Sequence, residues 1–245
     1  MPRILRIVNR LNIGGPTHNV TYLSRYLAPQ HETLLLSGQL EPGEESSEWL
    51  LQQHGIRPQY LPTMQRAISP RADRAAYQEV RRIIRAFRPQ VVHTHAAKAG
   101  AIGRLAALHE GVPAIVHTFH GHVFHSYFSP LKTKAFLGVE RYLGRRSSAI
   151  VAISELQRRE LVEDFRIAPA EKFRIIANGF DLTRFLMDED GKRAQFRQRY
   201  HLPQGTVAVG LVGRLTAIKN QRLFIDAVAL ARQQTQVPLR AFLVG

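Results

Sequence analysis

The sequence predicts an α/β fold in which the strands of a parallel sheet alternate with helices. Short apolar runs bounded by turn residues recur along the chain, and the stretches between them carry apolar residues at helical spacing. The pattern breaks once, in a polar segment at 188–205, and then starts again. We therefore expect a complete α/β domain over 1–190, a linker over 191–205, and the first β-α-β unit of a second α/β domain over 206–245.

Local signals support individual elements of this fold. Pro16 fits the first position of a helix, Ser154 and Gln157 have capping-box spacing, and Pro89 ends a helix. The predicted strands of the first domain are 4–8, 33–37, a short one near Tyr60, 91–95, 114–119, 149–153 and 173–177. Its predicted helices are 16–27, 46–54, 72–87, 98–109, 131–146 and one from Ser154. The second unit is predicted as strand 206–213, helix 220–234 and strand 239–244.

The composition excludes several classes of protein. The chain of 245 residues contains no cysteine, so it has neither disulfide bonds nor cysteine-based metal sites. Its N-terminus lacks the apolar run of a signal peptide, and no segment approaches the roughly 18 apolar residues of a membrane span. A cytoplasmic protein is the expectation.

The charge of the chain is strongly basic. It has 34 lysine and arginine residues against 19 acidic ones, a net charge of +15. Such an excess indicates a polyanionic partner, which could be nucleic acid, an anionic membrane surface or a phosphorylated substrate. A solvated surface with a basic bias explains it equally well. Part of the charge forms a stripe on the helix 72–87, made of Arg74, Arg81, Arg85 and Arg88.

A glycine pair follows the first predicted strand. Gly14 and Gly15 lie between that strand and a helix, where the backbone can approach a ligand and the helix N-terminus offers N–H donors to a phosphate. A tight turn without a ligand is the alternative. The spacing differs from the Gly-x-Gly-x-x-Gly of dinucleotide-binding proteins.

Histidines mark the ends of two further strands. His95 and Lys98 lie where a strand gives way to a helix, the end at which open parallel sheets bind ligands. His120 ends the next strand, and the permissive Gly121 after it allows the imidazole to point into a cleft, where it could bind a sugar hydroxyl or a phosphate. The neighbouring His93, His117, His122 and His125 are interpreted as polar packing. A histidine metal site is the weaker alternative, because no carboxylate or cysteine stands nearby.

The second unit carries the sharpest signal. Its first strand ends in Gly213-Arg214, and Lys219-Asn220 follows at the start of a helix. Arg214 and Lys219 can therefore converge on an anion. Paired cations suit a departing diphosphate, because negative charge grows on it as its bond breaks.

In combination these motifs resemble the retaining glycosyltransferases of family 4, which have the GT-B fold of two Rossmann-like domains. The resemblance covers most of the chain, and six motifs carry it in the family's order. They are Gly14-Gly15, 91–95, His120-Gly121, 151–154, 178–181, and Gly213-Arg214-Leu215 with Lys219-Asn220.

The resemblance implies roles for single residues. Arg214 and Lys219 would hold the diphosphate of the donor, with Gly14 and Gly15 closing near it. His120 would contact the donor sugar as the catalytic histidine. His95, Lys98 and Asn178 are further candidates for residues of the acceptor site or of the cleft. The family needs no metal or other cofactor, and the leaving phosphate itself helps to deprotonate the acceptor hydroxyl.

The resemblance also shows departures. Residues 16–18 read Pro-Thr-His where many relatives carry Ala-Glu-Arg, and the 245 residues stop before the region in which the family carries its glutamate pair, so the donor pocket is expected to be incomplete. We expect a glycosyltransferase that moves a sugar from a nucleotide diphosphate to a glycan or lipid-linked glycan. An anionic inner membrane face is a candidate partner, and nucleic acid is not expected. The alternative is a truncated, non-catalytic module that binds the acceptor or a partner subunit.

Overall fold

The computed structural model describes residues 1–65, 67–121, 130–213 and 215–245, apart from the side chains of Pro130, Lys132, Arg184 and Ile218. The described chain forms two compact units, Met1–Phe180 and Asp181–Gly245. Within these ranges every helix is too short or too polar to cross a bilayer.

The first unit alternates strands and helices as the sequence predicts. Its strands are β1 Arg3–Arg10, β2 Glu32–Gly38, β3 Gln59–Leu61, β4 Val91–His95, β5 Ala114–Phe119, β6 Ala149–Ala152 and β7 Phe173–Ile175. Its helices are α1 Gly15–Leu27, α2 Glu48–Gln53, α3 Pro70–Phe87, α4 Ala97–His109, α5 Pro130–Arg146 and α6 Glu155–Arg159. A π-helical turn, Glu160–Asp164, continues α6, and a 3₁₀ turn, Ala170–Lys172, precedes β7.

The second unit is smaller. It begins with α7 Thr183–Leu186 and α8 Glu189–Arg199, followed by β8 Val207–Val212, a 3₁₀ turn Ala217–Lys219, α9 Gln221–Gln234 and β9 Leu239–Val244. The strands β8 and β9 pair in parallel, which confirms the predicted β-α-β unit. α8 occupies much of the segment predicted as a linker, and the compact units divide after Phe180, about ten residues before the predicted boundary. The assignment of domains to 1–190 and 206–245 stays a prediction.

The first unit is built on a seven-stranded parallel sheet with the order β3-β2-β1-β4-β5-β6-β7. The chain builds outward from β1 to β3 in one direction and from β4 to β7 in the other. The direction therefore reverses between β1 and β4, which are neighbours although three helices separate them in sequence.

Helices cover both faces of this sheet. On one face, Leu5 and Ile7 of β1 share a core with Val80 of α3 and Ile102 of α4. On the other face, Val8 packs in a second core with α1 and α2. Because side chains alternate along a strand, neighbouring residues of β1 serve opposite cores.

α4 packs very closely on the sheet. A Cβ atom added at Gly100 would stand 2.5 Å from Cε1 of His117, so glycine permits the contact. Arg104 is fully buried and donates through Nη2 to both carboxylate oxygens of Glu140, at 2.9 and 2.7 Å. This buried ion pair joins α4 to α5.

Candidate functional site

The candidate site lies where the strand order reverses. β1 and β4 are adjacent, and each leads into a helix at its carboxyl end, α1 after β1 and α4 after β4. α1 and α4 pack on opposite faces of the sheet. In open parallel sheets a crevice forms between two such helices at the carboxyl edge of the sheet, and this is the general place where ligands bind.

Neither helix start is neutralised by its own side chains. α1 has no side-chain cap at Gly14 and no acidic residue in its first turn. α4 likewise has no side-chain cap at Ala96 and no acidic residue in its first turn. A helix N-terminus carries a partial positive charge and N–H groups without intrahelical partners. Two such ends at one crevice favour an anionic ligand.

The glycine pair leaves space at the start of α1. Among the described residues, a Cβ atom added at Gly14 would meet only Pro16, at 3.7 Å, and one added at Gly15 would meet only Asn178, at 3.9 Å. Gly14 has an extended backbone that any residue can adopt. Packing within the first unit therefore does not require glycine here, in contrast to Gly100 under α4.

The structure brings Asn178 to this turn. Asn19 of α1 donates through Nδ2 to Oδ1 of Asn178 at 3.1 Å, and the rings of His18 and Phe180 stand 5.8 Å apart. The segment 178–180 thus lies along the first turns of α1. The two motifs are some 160 residues apart in sequence, yet they form one wall of the crevice.

His95 and His120 form a pair at the ends of β4 and β5. Nδ1 of His95 lies 2.9 Å from Nε2 of His120, and the rings stack with their centroids 5.2 Å apart. His95 is fully buried, whereas His120 is partly exposed. The following residue, Gly121, has a φ of 137°, which favours glycine and lets the chain turn away after the imidazole.

A buried arginine is connected to this pair through His93. Arg6 of β1 is fully buried, and its Nη1 donates to Nδ1 of His93 at 2.8 Å. Because Nδ1 accepts, the proton of neutral His93 is on Nε2, which donates to Oγ1 of Thr118 at 2.8 Å. The rings of His93 and His95 are 4.2 Å apart, so the network reaches the crevice.

Burial and positive charge keep these imidazoles neutral. Desolvation lowers the pKa of His120 to about 4. Desolvation holds the pKa values of His93 and His95 well below the usual value. The charge of Arg6 adds to the effect on His93, and His93 followed by Arg6 adds to the effect on His95. Burial also lowers the pKa of Arg6 to about 10, so the guanidinium stays charged at neutral pH. His120 is therefore equipped to exchange hydrogen bonds near pH 7 and does not carry a charge there.

Other residues singled out from the sequence lie elsewhere. His117 is buried on the opposite face of the sheet, where Thr94 bonds its Nδ1 at 2.8 Å. Lys98 forms an ion pair with Asp73 of α3 at 2.5 Å and donates to the carbonyl of Ala67. Its ammonium group is thus engaged by α3 and the segment before it. His122 and His125 lie outside the described residues.

In the second unit, Lys219 lies over the end of β8. A Cβ atom added at Gly213 would stand 3.5 Å from its Cε, so the side chain of the lysine packs beside the end of the strand. The convergence of Arg214 and Lys219 on an anion stays a prediction. Asn220 begins α9 and accepts from the N–H of Leu223 at 3.2 Å. Arg214 lies outside the described residues.

Two features of the site were missed from the sequence. Arg6 stands in an apolar run, and a buried cation inside a strand is a signal that could have been used. Ala96 has a φ of 65°, an unusual backbone conformation for a residue with a side chain, directly between His95 and α4. The sequence does not predict this conformation of Ala96, because alanine normally avoids it.

Comparison with known proteins places this geometry in a family. Residues 13–184 match the family described as Glycosyltransferase Family 4. A curated relative from Escherichia coli, UDP-Gal:alpha-D-GlcNAc-diphosphoundecaprenol alpha-1,3-galactosyltransferase, is 25% identical over 190 residues, which are 77% of this chain and 48% of the relative. This chain therefore spans about half the length of that relative.

Solved structures share the fold. The Anabaena protein HepE in complex with UDP-glucose superposes with a TM-score of 0.72 at 20% identity, over 99% of this chain and 60% of that one. A UDP-GlcNAc 2-epimerase from Neisseria meningitidis superposes with a TM-score of 0.61 at 14% identity, over 98% of this chain and 66% of that one. The architecture is that of GT-B proteins, and the family match over residues 13–184 shows that the chain belongs to glycosyltransferase family 4.

Proposed function

We propose that the protein is a glycosyltransferase that moves a sugar from a nucleotide diphosphate to a hydroxyl of a glycan or lipid-linked glycan, with retention of configuration. The observation that carries the proposal is the carboxyl edge of β1, β4 and β5, where the strand order places two uncapped helix starts and the pair His95 and His120 at the same edge of the sheet. Such an edge suits a ligand that has both anionic and hydroxyl groups. Family membership gives the reaction class.

His120 is the proposed contact to the donor sugar. Its Nδ1 is buried and has no hydrogen-bond partner among the described residues. If Nδ1 of His95 donates to Nε2 of His120, the proton of neutral His120 is on Nδ1 and can be donated to a sugar hydroxyl or a phosphate oxygen. Gly14, Gly15 and Asn178 form the adjoining wall, and His95 and Lys98 remain proposed residues of the acceptor side.

The donor diphosphate is assigned to Arg214 and Lys219. Their cationic groups would neutralise the charge that grows on the leaving group as the sugar departs. The packing of Lys219 on the end of β8 supports this role, because it holds the lysine beside the residue that precedes Arg214.

The acceptor proposed for the first test is a glycan on a lipid diphosphate. The Escherichia coli relative acts on GlcNAc-diphosphoundecaprenol by its name, and this chain has a net charge of +15. A basic protein that modifies a lipid-linked glycan would work in the cytoplasm, at the inner face of the membrane.

Charge removal tests the donor site. In the protein expressed from its whole reading frame, Arg214→Ala and Lys219→Ala should each lower turnover with nucleotide sugars by about 10²-fold, the scale for losing one charge-stabilising group. Arg232→Ala on α9 is the matched control, since it removes an exposed cation elsewhere in the second unit. Unchanged turnover in both site variants would remove the diphosphate assignment.

The second candidate is a non-catalytic module that binds an acceptor or a partner subunit. This candidate is supported by the coverage of the curated relative, since the match includes only 48% of that enzyme. The two candidates differ in one measurement on these 245 residues. Hydrolysis of a nucleotide sugar, or its transfer to the acceptor, would exclude the binding module, whereas acceptor binding without either reaction would favour it.

A further inference from the structure

An apolar groove lies on the helix layer, away from the crevice. α3, α4 and α5 line it and enclose a cavity of about 590 Å³, a volume ordinary for a ligand site. Its walls include Leu105 of α4 with Val139 and Tyr142 of α5, which are 38%, 47% and 49% exposed. Large apolar side chains clustered at a surface indicate an interaction site, because water contact costs free energy.

The rim of the groove is basic. Arg74 lines it directly and is exposed. Arg146 stacks on the ring of Tyr142 at 3.8 Å, and Arg81 stacks on the ring of Tyr77 at 5.5 Å. Both tyrosines line the groove, so the arginines hold cationic heads beside an apolar surface.

The carboxylates near the groove are already neutralised. Asp73 is paired with Lys98 at 2.5 Å, and Glu110 binds both Arg81 and Arg85, at 2.5 and 2.9 Å. Hydrogen bonds from Arg85 and Arg81 lower the pKa of Glu110 to about 2, although desolvation alone would raise it. The sequence stripe of arginines is thus partly compensated, while Arg74 and Arg146 leave the rim with a positive charge.

We propose that this groove is a membrane-docking surface that takes an acyl chain of an anionic phospholipid while the arginines of its rim bind headgroup phosphates. An apolar centre with a cationic rim complements a bilayer of anionic lipid, in which apolar chains lie below phosphates. α3 leads into β4, so its first turns, which line the groove, stand at the carboxyl edge of the sheet, whereas Arg146 at the end of α5 stands at the amino edge. Docking would therefore hold the whole layer of α3, α4 and α5 against the membrane, where a lipid-linked acceptor resides.

Vesicle flotation tests the surface without any glycosyl transfer, so this inference, which refines the proposed function, can fail on its own. Wild-type protein should float with phosphatidylglycerol-containing vesicles and stay in the soluble fraction with phosphatidylcholine alone. Leu105→Asp or Val139→Asp should reduce the vesicle-bound to free ratio about tenfold, because a carboxylate replaces apolar area that docking would bury in the bilayer. Leu156→Asp, which changes an exposed leucine of α6, should bind as wild type does.

The rim is tested by charge reversal. Arg74→Glu and Arg146→Glu should each reduce binding to anionic vesicles about fivefold or more, since each basic side chain contributes attraction to the surface. The control Arg25→Glu makes the same charge change on α1, on the opposite layer of the first unit, and should have a smaller effect. Equal losses in all three variants would show attraction by net charge alone and would overturn the groove assignment.

Insertion of an acyl chain is tested by fluorescence. Trp49 is the sole tryptophan, so Trp49→Phe provides a silent background. In that background, tryptophan introduced by Leu105→Trp should be quenched by phosphatidylglycerol brominated on its acyl chains, and tryptophan introduced by Leu156→Trp should not. No quenching at position 105, or burial of the groove in a dimer by light scattering and crosslinking, would overturn the proposal.

Discussion

At the scale of residues, the site depends on imidazoles that stay neutral because they are buried beside a charge. Arg6 fixes the proton of His93 by donating to it, and the stacked rings continue to His95 and His120. An arginine buried without a carboxylate is costly, and its Nε and Nη2 have no hydrogen-bond partner among the described residues. The cost is consistent with a role at the site and not with stability alone.

The neutral imidazoles make stability depend on pH. In the unfolded chain each histidine binds a proton near pH 6.5. In the folded chain the pKa of His120 is lowered to about 4, and burial also holds the pKa values of His93, His95 and His117 well below the usual value. The stabilisation is therefore complete above about pH 6.5 and is lost as the pH falls toward the folded pKa values. Urea denaturation should show the free energy of unfolding falling by about 3 kcal/mol or more between pH 7 and pH 4.

A variant separates this effect from general acid denaturation. His120→Asn should flatten the dependence between about pH 6 and pH 4, because one imidazole with a lowered pKa is removed. His201→Asn, at an exposed histidine of the second unit, should leave the curve unchanged. A curve that His120→Asn does not alter would contradict the lowered pKa.

Several residues of the site could be identified from the sequence, and others could not. His95, His120, Gly15 and Asn178 were singled out because they stand at strand ends or turns, and the structure gathers them at one edge of the sheet. Lys98 looked similar, yet Asp73 of α3 holds it, and a contact between two helices cannot be read from local spacing. The contact of Arg6 with His93 was missed as well, because it depends on the pairing of β1 with β4 and not on the spacing of residues along the chain.

At the scale of elements, periodicity was sufficient for the strands and the long helices. The boundaries moved by one or two residues, as at α3, which begins at Pro70. Periodicity gave no sign that the polar stretch after 188 contains α8, because that helix buries no residue that would reveal an apolar face. One half of the predicted capping box forms, since Oγ of Ser154 accepts from the N–H of Gln157. In the other half, Oε1 of Gln157 accepts from the N–H of Ile153 instead of that of Ser154.

The closeness of α4 to the sheet gives a prediction about glycine. Gly100→Ala should lower the free energy of unfolding by about 1–3 kcal/mol. The new methyl group would displace His117 and break its hydrogen bond to Thr94, although alanine favours a helix. Chemical denaturation of purified variants measures the change.

The matched control lies on α5. In the part of the chain that the structure describes, no atom lies within 4 Å of a Cβ atom added at Gly138, so Gly138→Ala should raise the free energy of unfolding by about 0.5–1 kcal/mol through helix propensity alone. Stabilisation by both substitutions would show that α4 does not pack as closely as described. Opposite signs would support the packing.

At the scale of the whole molecule, the strand order determines where function can reside. The reversal between β1 and β4 sets two helix starts and two strand-end histidines at one edge of the first unit. Alternating β and α elements predict a parallel sheet, but they do not by themselves give the order of its strands. The order was not predicted from the sequence; the structure gives it, and the fold of HepE is shared over 99% of this chain.

The central claim is that His120 contacts the donor in a glycosyl transfer. The most direct measurement follows radiolabelled sugar from a panel of nucleotide diphosphate sugars onto a synthetic GlcNAc-diphosphate lipid, using the protein from its whole reading frame. The account predicts a labelled product of retained configuration and a loss of about 10²-fold in turnover for His120→Ala, with unfolding at neutral pH still cooperative. Transfer by His120→Ala at the wild-type rate, or no transfer from any donor, would contradict it.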